Sequence, residues 1–75
     1  MMKYIRLENA GYIIFDQGQK HDDIARMFPT DNVLSAGFIG LQEDSVRCFG
    51  ESQSLNKKSD PEDKTYIRRR LFGMY

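Results

Sequence analysis

The chain has 75 residues, 40% hydrophobic and 29% charged, with four tyrosines, five phenylalanines and no tryptophan. Its eleven basic and eleven acidic side chains cancel, which excludes a global field drawing the molecule onto nucleic acid or an anionic membrane. One domain spanning 1–75 with a small core is all this length allows, and Cys48, the only cysteine, excludes an internal disulfide. A partner or a second copy would add to so small a core. Charge is unevenly spread: residues 1–50 carry five basic and seven acidic groups, net −2, whereas residues 51–75 carry six and four, net +2.

Residues 3–7 alternate, with Ile5 and Leu7 on one side and Tyr4 and Arg6 on the other, as in a half-buried strand. "ENAG" (8–11) is a turn with a glycine free to adopt positive φ. The continuous apolar run "YIIF" (12–15) predicts a strand covered on both faces, stopped by "DQGQ". "KHDDIARMF" (20–28) predicts a helix. Asp22 and Asp23 favour its positive N-terminal end, Ile24, Met27 and Phe28 make its apolar stripe, and Pro29 ends it.

Residues 33–41 and 46–52 form a hairpin around Gln42–Ser45, placing Leu41 opposite Val46, Ile39 opposite Cys48, Phe38 opposite Phe49 and Gly37 opposite Gly50. Two facing glycines leave a notch, and glycine inside a strand marks a bulge or a close backbone approach. "SQSLNKKSDP" follows as a polar connector anchored by Leu55. The last helix opens with Asp60 as N-cap, Pro61 at its first position and Glu62 and Asp63 in its first turn. Ile67 and Leu71 form its buried stripe, flanked by Tyr66 and Met74, and Gly73 ends it. The expected fold is therefore α+β, of order ββαββα, with an antiparallel sheet and two helices.

Few constellations suggest chemistry. "HDD" (His21–Asp23) offers one histidine and two carboxylates about 100° apart on a helix, too few ligands for a metal centre. "GESQS" (50–54) matches half of a nucleophile elbow, and a Ser52–His21 pair would still need an orienting group and an oxyanion hole. Cys48 in mid-strand reads as a small hydrophobe. No catalytic residue, cofactor or metal is expected. "RRR" (68–70) fans across about 200° of helix, so its members cannot all face one phosphate backbone. Lys64 and Arg68 do share a face, which Lys57 and Lys58 would extend.

At "VLSAGFIGL", "VRCFGESQSL" and "DPED", within residues 33–63, the chain resembles small bacterial and bacteriophage proteins of unassigned function. The resemblance implies a compact stand-alone protein, carries over no catalytic residue, and is consistent with an accessory protein that inhibits a host factor. The expected role is a non-enzymatic protein–protein interaction module, binding another protein or forming a homodimer. Its expected contacts are Gly37, Phe38, Phe49, Gly50, Arg68 and Arg69. The alternative is a nucleic-acid binder using Lys57, Lys58, Lys64, Arg68 and Arg69. With no apolar stretch of signal-peptide or membrane-spanning length in the sequence, the expected compartment is the cytoplasm.

Overall fold

The computed structural model describes residues 1–43 and 45–73. Its elements in chain order are β1 (Met2–Leu7), β2 (Gly11–Asp16), α1 (His21–Ala25), β3 (Val33–Gln42), β4 (Ser45–Phe49), β5 (Glu51–Ser52), β6 (Lys57–Lys58) and α2 (Asp63–Phe72). The first four strands form one antiparallel sheet in the spatial order β2-β1-β3-β4, while β5 and β6 pair as a separate ribbon. The α+β architecture is the expected one. Its order is ββαββββα, because the end of the predicted strand 46–52 separates as β5 and pairs with β6, which comes from the stretch read as a connector. Among the described residues no helix is long and apolar enough to cross a membrane.

Both faces of the sheet are covered, each by its own helix. On one side Ile5 and Leu7 of β1, Phe15 of β2 and Ala36 of β3 pack with Ile24 of α1, and Leu55 closes that cluster as an anchor. On the other, Tyr4, Ile39 and Val46 pack with Ile67 of α2, with Tyr12, Ile14, Cys48 and Leu71 around them. Two-sided cover explains why residues 12–15 are apolar without alternation. It also corrects the reading of β1 as half-buried, since Tyr4 and Ile5, on opposite faces, are both 0% exposed.

Local chemistry sets the element ends. The Asp31 carboxylate accepts from the Asn9 and Ala10 N–H groups, the Asn9 amide and the Asn32 N–H, stapling the β1–β2 turn to the segment before β3. Slight burial pushes its pKa up, but these donors outweigh that and hold it below the usual carboxylate value. α1 is shorter than the predicted 20–28. The Met27 and Phe28 N–H groups reach back only three residues, to the Ile24 and Ala25 carbonyls, so the chain tightens into turns before Pro29. Met27 consequently leaves the stripe and is exposed. α2 begins at Asp63 with Glu62 as its N-cap residue and no side-chain cap, two residues after the expected Asp60. Asp60 Oδ1 instead accepts the Glu62 N–H and Asp63 Oδ2 accepts the Asp60 N–H, both at 2.9 Å, in the turn that leads into the helix. Ile67 and Leu71 face inward, Tyr66 is largely exposed, Gly73 ends the helix in a left-handed conformation, and Met74 lies outside the described residues.

The hairpin register is the expected one from Phe38↔Phe49 through Leu41↔Val46, and the ladder extends to Gln42↔Ser45. The predicted strand 46–52 is instead split at Gly50, whose φ of +77° ends β4 and turns the chain into β5. The close approach expected at the glycines is real and is made by the chain itself. A Cβ on Gly37 would stand 2.6 Å from the Phe49 carbonyl oxygen, 3.2 Å from Ser59 Cβ and 3.3 Å from the Tyr4 ring; one on Gly50 would stand 2.9 Å from the Phe38 ring. The Ser59 N–H also donates to the Gly50 carbonyl at 3.0 Å, holding the segment that leads into α2.

Because backbone atoms block the Gly37 position, Gly37→Ala should lower unfolding free energy by about 2 kcal/mol in urea denaturation. Gly18→Ala, which meets open space, should change it by less than about 0.5 kcal/mol. Equal effects from the two substitutions would contradict this packing.

Candidate functional site

Asp63 is the most buried acid described, 0% exposed, although it sits at the start of a helix whose residues are mostly exposed apart from Ile67 and Leu71. Tyr4 Oη donates to its Oδ2 at 2.5 Å, Tyr12 Oη donates to its Oδ1 at 2.6 Å, and the Asp60 N–H completes the set at 2.9 Å. A carboxylate out of water is tolerated only when its oxygens are so met. β1 supplies Tyr4 and β2 supplies Tyr12, so two neighbouring strands grip one helical carboxylate. Burial first, then hydrogen bonding to Asp63 and its charge, raise both phenols above the usual tyrosine value. Burial, reinforced by Asp63 and partly opposed by Lys64, pushes the Cys48 thiol up to about 11, so this cysteine is a poor nucleophile.

With α2 fixed in this way, its Lys64–Thr65–Arg68 flank stands beside β4. Ser45, Val46 and Arg47 of β4 and Lys64, Thr65 and Arg68 of α2 line a groove of about 470 Å³. The Lys64 and Arg68 side chains and the Thr65 hydroxyl of α2 face this groove beside Val46, and among the described residues the lining holds no carboxylate. Arg47 borders it from β4, but strand alternation turns its side chain to the face opposite Val46 and Cys48, where its guanidinium lies 5.4 Å from the centre of the Phe49 ring in cation–π contact. On the other flank of α2, Tyr66 stacks on Tyr12 at 5.9 Å, with Arg6 about equally close to both rings.

A second groove, about 640 Å³, is lined by Lys3, Lys20, His21, Asp22, Phe38 and residues 51–54. It mixes both charge signs. His21 and Ser52 both border it, but each is committed elsewhere. The His21 Nε2–H donates to the Gly37 carbonyl at 2.9 Å, its ring edge-to-face with Phe15 and Phe38. Ser52 Oγ accepts the Leu55 N–H and bonds to Ser54 Oγ. His21 is thus a buried packing residue, where the sequence placed it beside the apolar stripe. Among the described residues no three His, Cys, Asp or Glu side chains converge as metal ligands would.

The expected contact residues divide into two sets. Gly37, Phe38, Phe49 and Gly50 do come together, with Phe38 and Phe49 stacked at 5.9 Å, but the space over Gly37 is filled by Ser59 and Tyr4. Arg68 and Arg69 are exposed on α2. Of the nucleic-acid candidates, Lys64 and Arg68 share the β4–α2 groove, whereas Lys57 and Lys58 belong to β6 and do not line it. Asp63 was not singled out by the sequence, since an aspartate in a first helical turn has a sufficient local explanation.

No protein-family model, curated protein or solved structure matches the chain. The residues themselves therefore carry the functional argument.

Native Tyr4 and Tyr12 keep protons that an unfolded chain releases near pH 10. Their stabilising contribution is complete below about pH 10 and falls as pH rises beyond it. In an absorbance titration, the native protein should show two fewer phenols ionising in the ordinary range than the urea-unfolded chain. Tyr4→Phe and Tyr12→Phe should each reduce that deficit by one. A native titration matching the unfolded one would contradict the buried cluster.

Proposed function

We propose that this protein is a non-enzymatic interaction module that accepts an extended segment of another protein, or of a second copy of itself, alongside β4. The observation that carries the reading is the position of β4 at the end of the sheet order β2-β1-β3-β4. Alternate residues of an edge strand direct N–H and C=O groups away from the sheet, where an incoming strand can pair with them. The strand is held rigidly for this purpose. Five residue pairs tie it to β3, and Val46 packs into the core beneath α2.

Supporting features lie on either side. Leu41, opposite Val46 near the turn of the hairpin, is 51% exposed, and the exposed Arg68 and Arg69 side chains project from α2, Arg68 beside the groove. The groups best placed for acid–base or nucleophilic work, His21, Ser52, Cys48 and Asp63, are engaged in packing or hydrogen bonds. Recognition suits this surface better than bond-making.

Peptides selected against the folded protein from a random library test the reading when titrated into 15N-labelled protein. The amide resonances of Ser45–Phe49 should move most, with the remaining sheet little changed. Selected peptides that shift only α1 and β2, or a strictly monomeric protein that selects no peptide, would contradict it. Light scattering separates the self-pairing form from the heterologous one.

A further inference from the structure

We infer that the segment taken up beside β4 is acidic, an extended peptide with carboxylates at alternate positions seated against Lys64 and Arg68 in the groove between β4 and α2. This rests on the reading of β4 as an accepting edge and adds the chemical class of its partner.

Spacing supports the assignment. Lys64 and Arg68 are four residues apart on α2, which separates them by about 6 Å along the helix axis. In an extended segment, side chains at i and i+2 point the same way and stand about 6.7 Å apart. Successive carboxylates on one side of an added strand therefore match the two helical cations. Arg68 presents a planar guanidinium suited to bidentate binding of a carboxylate. Thr65 offers a hydroxyl donor in the same groove.

Charge supports it too. The groove is faced by two positive side chains, Lys64 and Arg68, and among the described residues its lining holds no negative one, within a chain whose formal net charge is zero. The nearest acid along α2, Asp63, turns its oxygens toward Tyr4 and Tyr12. Attraction is thus local to the groove, which favours a short acidic segment over a long polyanion. The main-chain groups of β4 sharpen the distinction. A peptide can continue the hydrogen-bonded ladder, whereas a phosphodiester has no N–H and C=O groups arranged for that pairing. Lys57 and Lys58, which a tracking nucleic-acid backbone would need, lie outside the groove.

The test uses fluorescence anisotropy with three labelled probes: a short Glu–Thr repeat, the matching Gln–Thr repeat and an oligothymidylate. The Glu–Thr peptide should bind best, weaken with added salt, and shift the amides of Ser45–Phe49. Lys64→Gln together with Arg68→Gln should reduce its affinity about tenfold, as expected for two partly exposed charge pairs. Lys20→Gln, on the other groove, should leave it unchanged. All three positions are exposed, and unchanged urea midpoints confirm that folding is intact.

Equal binding of the Glu–Thr and Gln–Thr peptides along β4 would overturn the acidic assignment while leaving β4 as an accepting edge. Failure of both peptides to move any β4 amide would overturn the edge reading as well. Binding of the oligothymidylate through Lys64 and Arg68, with no peptide binding, would replace the partner class by nucleic acid.

Discussion

Burial of the Asp63 carboxylate between Tyr4 and Tyr12 sets where α2 lies, and the outer surface of the molecule follows from that placement. A carboxylate removed from water requires donors in fixed directions. Here two phenols from adjacent strands and one main-chain N–H supply them. The helix contributes little apolar surface beyond Ile67 and Leu71, so a polar contact of this geometry has unusual weight in fixing its position. The same acid accepts the Asp60 N–H in the turn that enters the helix, so helix start and helix docking share one group.

Two-sided cover of a four-stranded sheet is the second constraint. With helices on both faces, the central strands have no solvent side, and the chain compensates with small residues where elements meet. Ala36 and Gly37 are both buried in β3, and Gly37 admits Ser59, the Tyr4 ring and the Phe49 carbonyl into one volume. That closure brings the residues preceding α2 against the hairpin. The groove beside β4 is thus a consequence of core packing, with Asp63 locking the helix inside and Lys64 and Arg68 turned outward one step along the same helix.

Much of this fold was legible. Alternation and apolar runs located the four main strands, and the facing pairs Phe38–Phe49 and Leu41–Val46 followed from a short hairpin turn. The glycines predicted a close contact, which exists and is intramolecular. The turn at Asp60 that leads into α2 and the Gly73 stop were marked by residue types with strong local preferences. What escaped has a common cause: it depends on contacts distant in sequence. Strands β5 and β6 have two residues each, too few to show periodicity. Met27 fits a helical stripe by spacing, yet the chain must already turn toward β3. Asp63 satisfies the first-turn preference for carboxylates, which conceals that its side chain faces the core. Val46 lies 18 residues before Lys64 in the chain, and only the packing of α2 over β4 brings the two beside one groove.

The linkage between a gripped carboxylate and helix position is most directly tested by a double-mutant cycle on Tyr4→Phe and Asp63→Asn, read by urea denaturation. If the phenol and the carboxylate stabilise the fold through each other, the two losses should fall short of additivity by about 1.5 kcal/mol or more, the range for hydrogen bonds to charged groups. Additive losses, with a coupling near zero, would mean that α2 is held by its apolar stripe alone and that the buried contact does not position it.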